Sequence, residues 1–214
     1  MMRIRLALLS LAALAVLLTS CASDKPKPVE EKKEAETKAP AEPVDKGIPV
    51  RFETSKGNFT IEVHEKWAPI GARRFLDLVA DKFFDNACFF RVVPNFVVQF
   101  GLAADAAKSK KWNVMLDDDP VNKSNTTGMV TFATAGPNTR TSQVFINLRS
   151  NWNLDDQGFA PFGKVTEGME VVEKLYSGYG ERPEQHLIEA RGNAYLTAQF
   201  PNLDYIKKAT VTEP

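Results

Sequence analysis

The order of apolar and polar positions divides the chain into three stretches. Behind Arg3 and Arg5 comes an apolar run from Leu6 to Leu18. A membrane-spanning helix needs about 20 apolar residues, and small residues follow this run, so it reads as a secretory signal over residues 1–20. Residues 22–47 show no periodicity. Lys, Glu, Pro and Ala dominate there, and no aromatic residue occurs. Too little apolar surface is present to offset the entropy of ordering, which predicts an extended, disordered tether.

From residue 48 onward the pattern becomes structured. Apolar and polar residues alternate over Val50–Thr54 and again over Phe59–Val63, with Ser55-Lys56-Gly57-Asn58 between them, which predicts a β-hairpin. Pro69 precedes Ala72, Phe75, Leu76 and Val79 at helical spacing, which predicts a helix. Phe89 to Phe100 is aromatic and β-branched apart from Pro94-Asn95, so it reads as two strands around a turn. Met129–Ala133, Val144–Asn147 and Ile206–Thr212 read as further strands. A second helix is expected over 168–176, with Met169, Val172, Leu175 and Tyr176 as its apolar stripe and Gly178 as its C-cap. Residues 177–203 form a long tail in which 179–183 and 192–196 read as loop-like and Phe200-Pro201-Asn202-Leu203 packs an aromatic near a turn. Short strands with only two helices favour a closed antiparallel barrel plugged at its ends.

Composition narrows the chemistry. With 214 residues and 43% hydrophobic content, the chain holds one core plus an appendage. Its 27 basic and 27 acidic residues cancel, so no nucleic-acid partner is expected. Cys88, beside Phe89 on a strand, reads as a small buried hydrophobe. The other cysteine, Cys21, ends the stretch Leu18-Thr19-Ser20-Cys21, which resembles a bacterial lipoprotein processing site. That resemblance implies cleavage before Cys21 and acylation of its thiol and new amino group, giving a lipid anchor; an ordinary signal peptide with a chance cysteine is the alternative. Ala22, rather than Asp, points to the outer membrane if the host is Gram-negative, with the protein on the periplasmic face of the envelope. The organisation expected is a signal at 1–20, an acylated cysteine and tether at 21–47, and a folded domain at 48–214. Asp117-Asp118-Asp119 reads as a solvated acidic loop, because three adjacent carboxylates do not converge and no glycine-spaced calcium loop follows. His64 and His186 lie in unrelated contexts, and no serine–histidine pair or metal-ligand cluster stands out, so neither metal nor cofactor is expected.

Three stretches carry a family resemblance. They are Phe90-Arg91-Val92-Val93-Pro94-Asn95-Phe96-Val97-Val98-Gln99-Phe100-Gly101; then Phe132-Ala133-Thr134-Ala135-Gly136-Pro137-Asn138-Thr139-Arg140-Thr141-Ser142-Gln143-Val144-Phe145-Ile146-Asn147; then Phe159-Ala160-Pro161-Phe162-Gly163-Lys164-Val165 with Gly168-Met169. In this order and spacing they resemble the cyclophilins, over roughly residues 48–212. The resemblance implies a mainly β fold: a closed, antiparallel, eight-stranded β-barrel capped by two α-helices. It also implies a peptidyl-prolyl cis/trans isomerase, here in a bacterial lipoprotein form. Its partners would be proline-containing stretches of exported or envelope proteins, and it would assist their folding as a monomer. A module that binds proline segments without turnover, or a holdase, is the alternative; holding alone does not call for Arg91.

Rotation about a prolyl bond faces a barrier of about 18–20 kcal/mol, because it breaks amide resonance. No bond is made or cut, so the catalyst needs an apolar slot for the ring and donors that favour the twisted amide. By resemblance, Arg91 is the catalytic arginine, and Gln99 orients it or holds the substrate backbone. Phe96 and Phe145 floor the proline pocket. Val97 stands where methionine is common, and Phe159 stands where a histidine is usual. The Ala133–Thr134 backbone would pair with an extended substrate, and Gln143 and Leu154 complete the substrate-binding set. Gly136-Pro137-Asn138-Thr139 is either a structural turn or the wall of a neighbouring pocket. Asn153 takes the place of a tryptophan found in many eukaryotic cyclophilins, with Trp152 one position away, which implies weak cyclosporin sensitivity.

Overall fold

The alternation in the sequence becomes a sheet. The computed structural model describes residues 45–213. The expected signal, the Cys21 acylation site and the tether up to residue 44 lie outside the described residues. Strands β1 (Ile48–Thr54) and β2 (Asn58–Val63) pair as an antiparallel hairpin, with Val50, Phe52 and Thr54 turned inward and Arg51 and Glu53 outward. Phe52 lies opposite Phe59, their rings stacked at 4.9 Å. The remaining strands are β3 (Arg91–Val93), β4 (Val97–Phe100), β5 (Met129–Phe132), β6 (Val144–Asn147), β7 (Pro161–Glu167) and β8 (Ile206–Val211).

All eight strands form one antiparallel sheet in the order β3-β4-β6-β5-β7-β2-β1-β8. The sheet curls until its ends meet. They are joined by the residues that lead into the edge strands, with no β3–β8 ladder. Cys88 bridges Tyr205, the Phe89 amide donates to the Asp204 carbonyl (3.0 Å), and the Ile206 amide donates to the Ala87 carbonyl (2.8 Å). Inside lies a phenylalanine-rich core built on Phe52, Phe59, Phe75, Phe84, Phe100, Phe132 and Phe162. Strand β7 was not apparent from alternation, because its first three residues are all buried. Gly163 in its middle admits no larger residue: an added Cβ would lie 2.7 Å from the Glu62 carbonyl on β2.

Helix α1 (Pro69–Ala80) runs where the spacing predicts it. The expectation of two helices is corrected to five α-helices among the described residues: α2 (Ala106–Trp112), α3 (Met169–Glu173), α4 (Gln185–Arg191) and α5 (Asn193–Gln199) join α1. Three of these are seven residues long, too short for a stripe to repeat. In α2 only Ser109 is buried and Trp112 alone packs on the core, so that helix carries no apolar stripe, although Asp105 caps its start by accepting from the Ala107 amide (2.9 Å). Helix α3 is shorter than expected. Gly168 is its N-cap and Lys174 its C-cap, and Gly178 lies beyond. The chain is drawn off the helical path where the Tyr176 amide donates to the Asp204 carboxylate (2.8 Å).

The tail at 177–203 holds α4 and α5, so the stretch 192–196, expected to be loop-like, is corrected to the start of a helix. The tail packs through Ile188, Tyr195, Leu196 and Leu203 against Cys88, Phe90 and Leu102, forming a second apolar cluster. The acidic loop is also not fully solvated. Asp119 is buried, accepts from the Ile70 and Gly71 amides (2.9 and 2.8 Å) and pairs with Arg140 (3.0 Å). Helix α1 has no capping side chain of its own, so a carboxylate remote in sequence satisfies its first free N–H groups.

Candidate active site

Strand register sets one row of side chains across the curled sheet. Arg91 on β3 lies opposite Gln99 on β4, Gln99 opposite Phe145 on β6, and Phe145 opposite Thr131 on β5. The next row, Val92–Val98–Ile146–Val130, is part of the core. Since strands alternate faces with period two, the Arg91 row must point to the other side. There Arg91, Gln99 and Phe145 form the floor of a groove of about 770 Å³, while Thr131 is buried outside its lining.

The turn between β3 and β4 folds one wall over that floor. Pro94 supplies a fixed φ, Asn95 adopts φ +57°, and the Phe96 amide closes the turn on the Val93 carbonyl (3.1 Å). Phe96 is thereby brought to Arg91, whose guanidinium lies 5.6 Å from the ring centre. At the end of β4, Gly101 (φ +102°) lets the chain pass close to β6; a Cβ there would meet the Ser142 carbonyl and lie 2.9 Å from the Gln143 Cα.

All ten groove residues expected from the sequence line this one cavity. Arg91 and Gln99 form its polar side. Val97, Phe145 and Leu154 form an apolar cluster, with Phe96, Ala133 and Phe159 packed against it. Phe159 stands edge-on to Phe145 at 5.7 Å. Thr134 and Gln143 continue the groove beyond Ala133. Two details differ from expectation. Strand β5 stops at Phe132, and the Ala133 amide is already engaged, donating to the Gln143 carbonyl (2.9 Å). The Thr134 hydroxyl is tied into the following turn by Thr139 (2.8 Å). Trp152 and Asn153 are exposed and stand outside the lining.

The polar side is a relay. Nη1 of Arg91 donates to Oε1 of Gln99 (3.2 Å), and Nε2 of Gln99 donates to Oε1 of Gln143 (2.8 Å). Gln99 is buried, so its amide has a fixed orientation and presents its oxygen to the guanidinium. The other edge of Arg91 meets Glu181, whose Oε1 accepts from Nε (2.6 Å) and also contacts Nη2.

Beneath the apolar end lies a polar network that no motif announced. Asn125 is fully buried. Its side-chain amide donates to Asp155 (2.7 Å) and to the Phe159 carbonyl (2.8 Å), and its oxygen accepts from Thr131 (2.8 Å) and Asn147 (3.2 Å). Asn147 accepts in turn from Asn151 (2.8 Å), which donates to the Phe96 carbonyl (3.2 Å). The two aromatic walls, Phe96 and Phe159, are thus tied to one network. Burial alone would raise Asp155; hydrogen bonds from Ser124 and Asn125 outweigh it and hold this carboxyl below the usual range. The far end of the groove is lined by Asn113 and Met115 beyond α2, by Thr139 and Thr141, and by Gln185 and Glu189 of α4. Only the two threonines lie in a recognised stretch.

Comparison with known proteins follows the same lines. A family model described as cyclophilin type peptidyl-prolyl cis-trans isomerase/CLD matches residues 49–191. A peptidyl-prolyl cis-trans isomerase of Acinetobacter baylyi is 38% identical over 132 residues, covering 59% of this chain and 70% of that protein. The isomerase CYP18-2 of Arabidopsis thaliana is 34% identical over 147 residues, covering 66% of this chain and 88% of its own. Among solved structures, a cyclophilin type isomerase of Cryptosporidium parvum is similar with a TM-score of 0.60 at 23% identity, covering 78% of this chain and 99% of that one, which speaks for the fold alone. The family match ends before α5 and β8.

Proposed function

Because this chain belongs to the cyclophilin-type peptidyl-prolyl cis-trans isomerases, we propose that its groove carries the isomerase chemistry, with Arg91 as catalytic residue and Gln99 as its orienting partner. A proline ring enters the slot among Phe96, Val97, Phe145, Leu154 and Phe159. The preceding residues lie along Ala133, Thr134 and Gln143. Held in this way, the X-Pro amide has its carbonyl and nitrogen within reach of the guanidinium. As the bond twists, resonance is lost and the nitrogen gains a lone pair that accepts a hydrogen bond. A donor fixed in place before the twist favours the twisted state over either planar one. A guanidinium suits the task, since it stays charged and presents its donors as a rigid fork.

The observation that carries this reading is the shared row: register alone puts Arg91, Gln99 and Phe145 side by side on the groove floor. A proline-peptide isomerisation assay tests it. Arg91→Ala should lower kcat/KM by about two orders of magnitude, equivalent to about 2.7 kcal/mol of transition-state stabilisation, with peptide binding retained. A variant as active as the parent refutes the role of Arg91, and a parent that binds proline peptides without turnover refutes catalysis. Weak cyclosporin inhibition belongs to the same reading, and a cyclosporin titration checks it.

The wider role we propose is isomerisation of exported or envelope proteins by a domain tethered through acylated Cys21. Supporting it are the apolar run at Leu6–Leu18, the Leu18-Thr19-Ser20-Cys21 stretch and the low-complexity segment that follows. Mass spectrometry of the mature N-terminus decides it: a diacylated or triacylated Cys21 supports the anchor, and an unmodified cysteine rejects it.

A further inference from the structure

We propose that Glu181 is a positioning residue for Arg91, and that the 177–203 segment serves the active site by holding it. The inference rests on the reading of Arg91 as the catalytic donor. A guanidinium has five N–H donors. Gln99 takes one from Nη1 (3.2 Å), and Glu181 meets the opposite edge at Nε (2.6 Å) and Nη2. One N–H on each Nη nitrogen then remains for a substrate. Arg91 lines the groove and Glu181 does not. The carboxylate therefore grips the arginine from outside, without filling the space a substrate needs.

Its support is built for the purpose of holding still. Glu181 sits in a turn closed by the Gly180 amide on the Ser177 carbonyl (3.0 Å) and the Arg182 amide on the Tyr179 carbonyl (3.1 Å). Arg182 reinforces this turn by donating to the Gly178 carbonyl (2.9 Å) and lying over the Tyr179 ring. Tyr179 stands edge-on to Phe200 at 5.1 Å. Phe90, the residue before Arg91, is buried against Ile188 and Leu196 of the same segment. One segment thus holds the entrance to β3 through Phe90 and the arginine head through Glu181. A three-residue edge strand gains rigidity where the site needs it, and a donor whose rotamer is fixed in advance loses less entropy on reaching the twisted amide.

The test is kcat and KM measured separately by NMR exchange on a proline peptide, using the full chain. Glu181→Ala should lower kcat by about tenfold while KM moves less than about twofold, because the loss falls on the transition state. Glu181→Gln keeps the accepting oxygen and should restore at least half of the parental kcat. In an Arg91→Ala background, Glu181→Ala should change nothing further, since non-additivity marks residues that act through one another. Glu181 is well exposed, so both variants are expected to fold, and unchanged circular dichroism checks this. An inactive Arg91→Ala beside a Glu181→Ala with parental or raised kcat overturns the positioning role alone; a raised kcat would show the carboxylate competing with substrate. A fully active Arg91→Ala overturns the reading of the site, and this inference with it.

Discussion

Replacing Asp119 by alanine should be among the most damaging single changes outside the groove. Asp119 and Arg140 are almost entirely enclosed, with side-chain exposures of 1% and 4%. Removing the carboxylate leaves the Arg140 cation in the interior. Asp118 compensates only in part, because its oxygen lies 3.3 Å from Nε in a geometry that makes no hydrogen bond, and the Asp117 carbonyl remains on Nη2. Breaking a buried pair in this way costs about 3–5 kcal/mol. The same substitution uncaps α1 at the Ile70 and Gly71 amides, an effect of about 1 kcal/mol for a lost cap. Allowing for Asp118, a net loss of about 4 kcal/mol is expected, and Tm should fall by about 10 °C for a domain of this size. Urea unfolding and calorimetry measure both. Asp119→Asn, which keeps an acceptor for the helix, should lose roughly half as much. Asp119→Ala with Arg140→Leu should be more stable than Asp119→Ala alone, since the orphaned charge is gone. A cost below about 1 kcal/mol for Asp119→Ala, or a double variant that adds its two losses in full, would refute the reasoning.

Asn125→Ala removes a side chain with four partners at the base of the slot and should cost about 3 kcal/mol; with Phe159 released, KM for a proline peptide should rise while the Arg91 relay keeps kcat within about threefold. Burial pushes the Cys88 thiol up to about 11, so at pH 8 it is protonated and shielded; mass spectrometry of the Cys88 peptide should show no alkylation of the native protein over hours and prompt labelling in urea. Asp155 is held below the usual carboxylate range in the fold, so its stabilising contribution is complete above the unfolded value near about 4 and is lost as pH falls from there through the folded value. Urea unfolding across pH should therefore show the stability gap between the parent and Asp155→Asn closing below about pH 4, and a gap that stays constant would show that ionisation of Asp155 is not what stabilises this loop.

What was legible in the sequence had local causes. The floor of the groove follows from period two: once Phe90–Gly101 pairs with Gln143–Asn147, Arg91, Gln99 and Phe145 must share a face. Val97, Leu154 and Phe159 were placed by resemblance and do meet in one apolar cluster. The missed features depend on partners far away along the chain. Asp119 caps a helix 49 residues earlier, Glu181 meets an arginine 90 residues earlier, and Asn125 reaches Asp155 across 30 residues. A lone Asp, Glu or Asn in a polar stretch gives no local sign that it is a buried partner. Helices α4 and α5 escaped notice for a related reason. Each is two turns long, and its apolar residues find their match in Cys88, Phe90 and Leu102, not in a repeating stripe.

This division bears on how the site works. The sheet decides which residues meet, and that much tolerates substitution, because register is enforced over the whole curled barrel. Catalysis of a bond rotation asks for more: a donor held at a set angle to an amide that itself turns. Strand β3 has three residues and lies at the sheet edge, so the ladder alone holds Arg91 weakly. The fixing comes from Gln99 within the sheet, Phe96 on the adjoining turn and Glu181 from outside it. The walls of the apolar slot are fixed in the same manner, by the network from Asn125 to Asn151 beneath them. The ratio kcat/KM should therefore be more sensitive to these remote polar residues than to conservative changes in the slot lining. Val97→Met, which keeps that wall apolar, should alter kcat/KM by less than about threefold, whereas Asn151→Ala, which lines no part of the groove, should alter it more, because it removes one of the two hydrogen bonds on the Phe96 carbonyl and leaves only that from the Leu148 amide (2.9 Å).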